Sequence, residues 1–241
     1  MNALGALKDI LFPQVRCLAC DEPRDILPGS ALCRKCEAGL PALAVPDAAC
    51  GQCRTPGKAA QPCAYCLGGG MRGLERAYAP YLYRGAARQL IVRLKFGPYA
   101  LAAGPLTGAM ARAVSGQGFD AMVPVPLYAA SLRERGVNQS RLLCEGMQPT
   151  LHLPIIDALK KTRPNRRQSG LDAKRRADNV RGVFAVVGYV RGLRVLLVDD
   201  VRTTGSTARE CARVLIEAGA ASVSLLTAAV AVRGRDNREE G

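Results

Sequence analysis

This sequence predicts an α/β fold: a parallel sheet flanked by helices, preceded by a small Cys-rich, zinc-ribbon-like module. Three observations carry the prediction. Four Cys-x-x-Cys pairs fall before residue 67, in a stretch without a long periodic segment. After residue 70, short apolar runs alternate with helical stripes, the pattern of β–α–β units. One of those runs, 195–198, is continuously apolar and bounded by charge, as expected of a central parallel strand covered on both faces.

The elements follow in order. Residues 1–70 form the cysteine-punctuated module, closed by a flexible break at Gly68-Gly69-Gly70. Residues 71–232 form the α/β domain, and residues 233–241 a polar tail that frays. In the domain, 86–96 sets Ala87, Leu90, Ile91 and Leu94 on one helical stripe, which Gly97-Pro98 stops. A second helix is expected over 101–114, a short strand ending in prolines over 121–126, a helix over 138–146 and a strand over 155–159. Residues 160–181 are polar, with nine basic and two acidic side chains, and 184–187 is β-rich. The strand at 195–198, a helix over 207–218 ended by Gly219, and a last strand over 222–232 complete the chain.

Composition narrows the chemistry. The chain has 241 residues, enough for one or two domains, and 49% apolar residues, enough for a core. A single histidine, His152, excludes paired-histidine metal chemistry, and its place before Pro154 reads as an ordinary loop. The formal net charge is +14, and it belongs to residues 71–241, where 27 basic residues face 14 acidic ones. No apolar run reaches the ~18 residues of a membrane span. Residues 1–13 lack the pattern of a secretory leader. A cytoplasmic chain is expected, where thiols stay reduced and paired cysteines favour metal over disulfides.

The cysteines are Cys17/Cys20, Cys33/Cys36, Cys50/Cys53 and Cys63/Cys66. A Cys-x-x-Cys turn aims two thiolates at one ion, and tetrahedral Zn2+ takes two such turns. A short segment with few large apolar side chains draws its folding energy from the metal. Two structural Zn2+ ions are the expectation; redox dithiols, disulfides or an iron ion are the alternatives. Spacing leaves open whether neighbouring pairs share an ion or the pairs interleave. Cys144 and Cys211 read as small buried hydrophobes.

The sharpest motif is VLLVDDVRTTGST, residues 195–207. A buried strand runs into Asp199 and Asp200, then into a turn of Thr203, Thr204, Gly205, Ser206 and Thr207, then a helix. Open α/β sheets place ligands at such strand ends. Backbone N–H groups at a helix start, with a glycine free to take positive φ, make an anion cradle. Two carboxylates beside it suit sugar hydroxyls, so the constellation fits a phosphorylated sugar. Thr207 and Glu210 also fit a capping box.

Further segments give these features a family likeness. They are Leu11-Phe12-Pro13, YRGAARQLIVRLKF (83–96), VPVPL (123–127), RERGVNQS (133–140) and the T-R-P…Q-S-G-L…R…N-V-R-G-V-F stretch (162–184). With the cysteine pairs and the acid–acid–threonine motif, they resemble the ComF family of competence and GntX-like proteins. That family joins a type I phosphoribosyltransferase fold to a zinc-binding module. VDDVRTTGST looks like the signature for 5-phosphoribosyl 1-diphosphate (PRPP). The chain departs from the family at Gly97-Pro98-Tyr99, where a glycine-charged turn is usual.

The resemblance implies roles. Asp199 and Asp200 take the ribose hydroxyls, and residues 203–207 the 5′-phosphate. The loop near 124–127, with Arg133 and Arg135, meets pyrophosphate, and Mg2+ bridges pyrophosphate and ribose. A flexible loop over 160–181, with Lys174, Arg175 and Arg176, closes the site. The module, with residues 71–85, takes the place of a hood over the acceptor. Two functions follow. One is a Mg2+-dependent phosphoribosyltransferase acting on a base or amine. The other is a non-enzymatic single-stranded DNA-binding factor in DNA uptake or repair, working beside an uptake helicase. A PRPP sensor without turnover is a weaker third.

Overall fold

The computed structural model describes residues 16–23, 25–26, 31–57, 62–96, 99–164 and 180–231. The elements are α1 (Arg34–Gly39), a 3₁₀ turn (Pro41–Leu43), α2 (Ala64–Leu67), β1 (Ala77–Tyr78), β2 (Tyr81–Leu82), α3 (Gly85–Phe96), α4 (Tyr99–Val114) and β3 (Ala121–Pro124). Then come α5 (Ala129–Arg135), α6 (Gln139–Leu151), β4 (Leu159–Lys161), β5 (Phe184–Val186), β6 (Arg194–Arg202), α7 (Ser206–Glu217) and β7 (Ser222–Val230).

The main sheet is wholly parallel, in the order β1-β7-β6-β3, with β2 also alongside β7. Its two long strands, β6 and β7, pair from Arg194↔Ser222 to Arg202↔Val230. Side chains alternate across a strand, and that alternation sorts the core. Met122, Leu196, Val198 and Leu226 face α3, α4 and α6. Val123, Val195, Leu197 and Leu225 face α7 and the β4–β5 pair. The α3 stripe expected from sequence is buried throughout, at Ala87, Leu90, Ile91 and Leu94. Each fully buried leucine or isoleucine contributes about 1.5–3 kcal/mol. The parallel sheet flanked by helices is the expected architecture.

The cysteine module packs against both faces. Cys17, Leu32, Cys33 and Leu40 join the α3/α4/α6 core, and Cys50, Cys53, Met71 and Leu74 join the α7 core.

Several local expectations are corrected. Strand pairing at 155–159 reduces to one bridge, Ile155 to Met122. There Met122 N donates to Pro154 O and Ile156 N to Met122 O, both at 2.9 Å. The strand proper is β4, two-stranded and antiparallel with β5. The Gly68–Gly70 segment is a packed turn rather than a loose break: Gly70 N donates to Tyr65 O at 2.8 Å. A Cβ on Gly70 would overlap the Tyr65 ring. His152 terminates α6 in the left-handed region, φ 54°. β6 continues past residue 198 through both aspartates to Arg202. Leu11-Phe12-Pro13, Gly97-Pro98 and the tail at 233–241 lie outside the described residues.

Candidate functional site

The site forms where β6 leaves its buried run. Asp199 Oδ1 accepts from Ser140 Oγ at 3.2 Å and from the Asp200 N–H at 2.9 Å. Ser140 sits in the first turn of α6, where the Asn138 side chain caps the helix by accepting from Ser140 N at 3.0 Å. Asn138 Nδ2 also donates to Val125 O at 3.1 Å, tying that cap to the loop after β3. Asp200 Oδ2 pairs with Lys95 Nζ at 2.7 Å, and Lys95 comes from the last turn of α3. Burial, reinforced by the Asp200 charge, pushes the Asp199 carboxyl up to about 7. Burial also lowers the Lys161 amine.

The turn behind the acids is held from several sides. Gly205 takes φ 69° and precedes α7 as its N-cap. Arg209 Nη1 donates to Thr204 O at 2.8 Å, and Arg209 Nη2 to Ser206 Oγ at 3.3 Å. Thr204 Oγ1 and Ser206 Oγ lie 2.9 Å apart. The Thr207–Glu210 capping box does not form. Glu210 Oε1 instead accepts from Gly182 N at 2.7 Å, and Arg213 pairs with it at 2.6 Å. A charged partner outcompetes the helix-start amide. Asp199, Thr203, Thr204, Gly205, Ser206 and Thr207 line one cavity of about 40 Å³. A water needs about 10–15 Å³ on this measure, so the space admits a group of phosphate size. A second cavity, about 500 Å³, lies over the outer face of α7, where Arg72, Arg181, Arg209 and Arg213 meet Glu210 and Glu217.

Of the other residues singled out from sequence, Arg135 approaches the acids' side of the sheet. Its guanidinium lies 5.4 Å from the Phe96 ring centroid, and its Nη1 donates to Gln139 at 3.3 Å. Arg133 is exposed on α5. Lys174, Arg175 and Arg176 lie outside the described residues. Sequence reasoning missed Lys95 and Ser140 as site residues, although both sit inside the quoted LKF and RERGVNQS segments. It also missed Tyr65 and Arg202, which lie inside the Cys63/Cys66 pair and the 195–207 motif but whose partners are more than 130 residues away in the chain.

The cysteines resolve into two groups of neighbouring pairs: Cys17, Cys20, Cys33 and Cys36, and Cys50, Cys53, Cys63 and Cys66. Zn–S bonds of about 2.3 Å in a tetrahedron set sulfurs roughly 3.8 Å apart. Cys20–Cys33 and Cys50–Cys66 Sγ atoms are 3.8 Å apart, Cys63–Cys66 3.7 Å and Cys53–Cys63 3.5 Å. The donor sets therefore fit structural zinc. At Cys17 burial works upward, but N–H groups of Cys33, Cys20 and Ala19 hold the thiol down at about 7. At Cys36 burial prevails and raises it. Cys144 and Cys211 are fully buried with raised thiols, inert packing residues as expected.

The fold and site thus define a parallel α/β protein with an acid pair and an anion turn at one strand end, carrying two four-cysteine groups. No family model matches the chain. It is 39% identical over 107 residues to DNA utilization protein YhgH of Escherichia coli (strain K12), covering 44% of this chain and 47% of that protein. It is 36% identical over 107 residues to Competence protein ComFC of Bacillus subtilis (strain 168), covering 44% and 42%. Competence protein F of Haemophilus influenzae is 34% identical over 110 residues, covering 44% and 48%. The chain spans about half the length of the curated relatives it matches. These relatives bear out the resemblance to the ComF family. Among solved structures, an allosteric regulatory enzyme of purine biosynthesis overlaps 52% of this chain and 25% of its own, with TM-score 0.36 and 26% identity. A purine phosphoribosyltransferase from Pyrococcus horikoshii overlaps 54% and 73%, with TM-score 0.32 and 18% identity. Among the described residues, no helix is long and apolar enough to cross a membrane.

Proposed function

We propose that this chain binds PRPP with Mg2+ at the C-terminal end of β6 and transfers its phosphoribosyl group to a nitrogen of a base or amine. The observation that supports this reading is the shared cavity: a carboxylate at a strand end and a glycine-containing turn at a helix start face one small space. In this reading Asp199 and Asp200 accept hydrogen bonds from ribose hydroxyls, and residues 203–207 hold the 5′-phosphate on N–H and hydroxyl groups. Residues 124–127 with Arg133 and Arg135 meet the pyrophosphate, and Lys174, Arg175 and Arg176 close over it. The C1–O bond breaks with its electron pair leaving on pyrophosphate, while a nitrogen lone pair forms the C1–N bond and the nitrogen gives up its proton to water. Basic groups aimed at the departing polyanion lower that barrier, and Mg2+, taken up with PRPP beside Asp199 and Asp200, would supply further charge neutralisation. The two four-cysteine groups hold structural Zn2+. Residues 1–70 are a module that, with 71–85, forms the hood over the acceptor, and the chain works in the cytoplasm, where its thiols stay reduced.

A second reading has its own observation. The arginine-lined cavity over α7 offers a basic groove, and relatives carry the names DNA utilization protein and Competence protein. Single-stranded DNA handling without turnover, beside an uptake helicase, would use that groove, and its affinity would fall steeply with salt.

Calorimetric titration of Mg2+·PRPP into the zinc-loaded chain separates the two, run beside an Asp199→Asn/Asp200→Asn variant. Binding that the variant weakens about 100-fold, the loss of two charge-assisted hydrogen bonds, supports the sugar-phosphate site. No binding by either protein overturns it and leaves DNA handling as the function.

A further inference from the structure

The second four-cysteine group touches the phosphate turn. Arg202, the last residue of β6, is 4% exposed, and a buried guanidinium needs partners. Its Nη2 donates to Cys53 O at 2.7 Å and to Thr55 Oγ1 at 2.9 Å. Its guanidinium carbon lies 4.7 Å from the Tyr65 ring centroid. Among the described residues no carboxylate pairs with it, so its partners come from the segment around the second group. Tyr65 sits between the ligands Cys63 and Cys66, and its Oη donates to Thr204 O at 3.3 Å. Arg209 reaches the same carbonyl and also Gly70 O, at 3.4 Å. The Gly70 N–H returns to Tyr65 O. The Thr204 carbonyl is thus held by the cysteine module on one side and by α7 on the other.

That carbonyl decides where the turn points. Across a trans peptide the C=O and the following N–H face opposite ways. Holding the Thr204 carbonyl toward Tyr65 turns the Gly205 N–H away from it. A side chain on Gly205 would collide with Tyr65 Oη, so the glycine is required by this contact as well as by its positive φ. Tyr65 in turn is placed by α2, four residues long, whose N-cap is Cys63 and whose third residue is Cys66. A helix this short has no stability of its own; the metal fixes it.

We infer that Tyr65 and Arg202 are positioning residues for the phosphate turn, and that metal in the second four-cysteine group and sugar phosphate on residues 203–207 bind cooperatively. The ligand half of this inference rests on the sugar-phosphate reading above; the clamp itself does not. Linkage is reciprocal: metal preorganises the turn for phosphate, and phosphate slows loss of that metal. The first group makes no such contact among the described residues and stands outside the linkage.

The test uses the full, zinc-loaded chain and its Tyr65→Phe and Cys66→Ser variants. Three quantities are read: hydrogen exchange of the amides in 203–207, affinity for ribose 5-phosphate, and zinc transfer to a chromogenic chelator with and without ribose 5-phosphate. Tyr65→Phe is expected to retain two zinc ions, to speed exchange of the turn roughly five- to tenfold, and to weaken ribose 5-phosphate by the same factor. That factor corresponds to one neutral hydrogen bond. Ribose 5-phosphate should slow release of one zinc in the parent chain, of neither in Tyr65→Phe, and not of the single zinc left in Cys66→Ser, which belongs to the first group. Unchanged exchange of 203–207 in Tyr65→Phe overturns the clamp. A parent chain that ignores ribose 5-phosphate, with faster exchange in the variant, overturns the sugar-phosphate reading and its linkage but keeps the clamp.

Discussion

The two four-cysteine groups share a donor set and a spacing plan, yet they stand on opposite faces of the sheet. The first lies with Leu32 and Leu40 against α3, α4 and α6. The second lies with Met71 and Leu74 on the α7 face, against the phosphate turn. One donor chemistry therefore serves two ends. The first group completes a core, and the second braces a loop.

The candidate site inherits this division. Its carboxylates are held from the first face, by Ser140 of α6 and Lys95 of α3. Its turn is held from the second face, by Tyr65 and Arg202. The strand β6, buried on both faces, is where the halves meet.

The largest test of the comparison removes one ligand from each group. Structural zinc is worth about 10 kcal/mol or more in small modules, comparable to the whole stability of a domain. Cys33→Ser alters a 6%-exposed position in the buried cluster that also holds Leu90 and Leu94 and is expected to abolish a cooperative thermal transition. Cys66→Ser alters a half-buried position beside the turn. It is expected to keep the sheet's far-UV signal and its cooperative melt while losing one zinc. Equal behaviour of the two variants, by thermal melt and metal content, would break the comparison.

A smaller effect lies where the faces meet. The folded chain holds a proton on Asp199 up to pH about 7, which the unfolded chain releases near 4. The folded state binds more protons in that window, so this group's contribution to stability falls as pH rises from 4 to 7 and is flat above. Asp200, Lys95, Lys161 and Cys211 act on it, and burial is the leading cause. Asp199→Asn should therefore stabilise the chain at pH 8, by up to about 4 kcal/mol, and leave it unchanged near pH 4. Denaturant midpoints at both values check this; a variant less stable at pH 8 sinks it.

Sequence carried the parts of this molecule that depend on local pattern. The apolar run 195–198, the α3 stripe and the four cysteine pairs each encode their structure within a few residues. Where the chain misled, a distant partner decided. β6 passes through two aspartates because β7 keeps pairing as far as Val230, which a charged strand end does not announce. Glu210 leaves its capping box for Arg213 and the Gly182 amide. Gly68–Gly70 looked loose until Tyr65 filled the space beside it. The acids and turn of the candidate site were readable from one motif. Lys95, Ser140, Tyr65 and Arg202 were not, since each meets its partner across a long stretch of chain.

The smallest effect probes the separation itself. The first group reaches toward the site along one exposed path: Asp21, next to Cys20, pairs with Arg93 of α3 at 3.0 Å, and two residues further Lys95 holds Asp200. Both partners of the outer pair are more than 40% exposed, where water and salt screen the attraction. Such pairs contribute about 0–1 kcal/mol. Asp21→Asn should lower stability within that range and leave ribose 5-phosphate affinity within twofold, because α3 is fixed by Leu90, Ile91 and Leu94 rather than by its surface charge. An affinity change of fivefold or more, read by calorimetry at moderate salt, would mean that the first group steers the acid pair through α3. The two cysteine groups would then both govern the site, one through its carboxylates and the other through its turn.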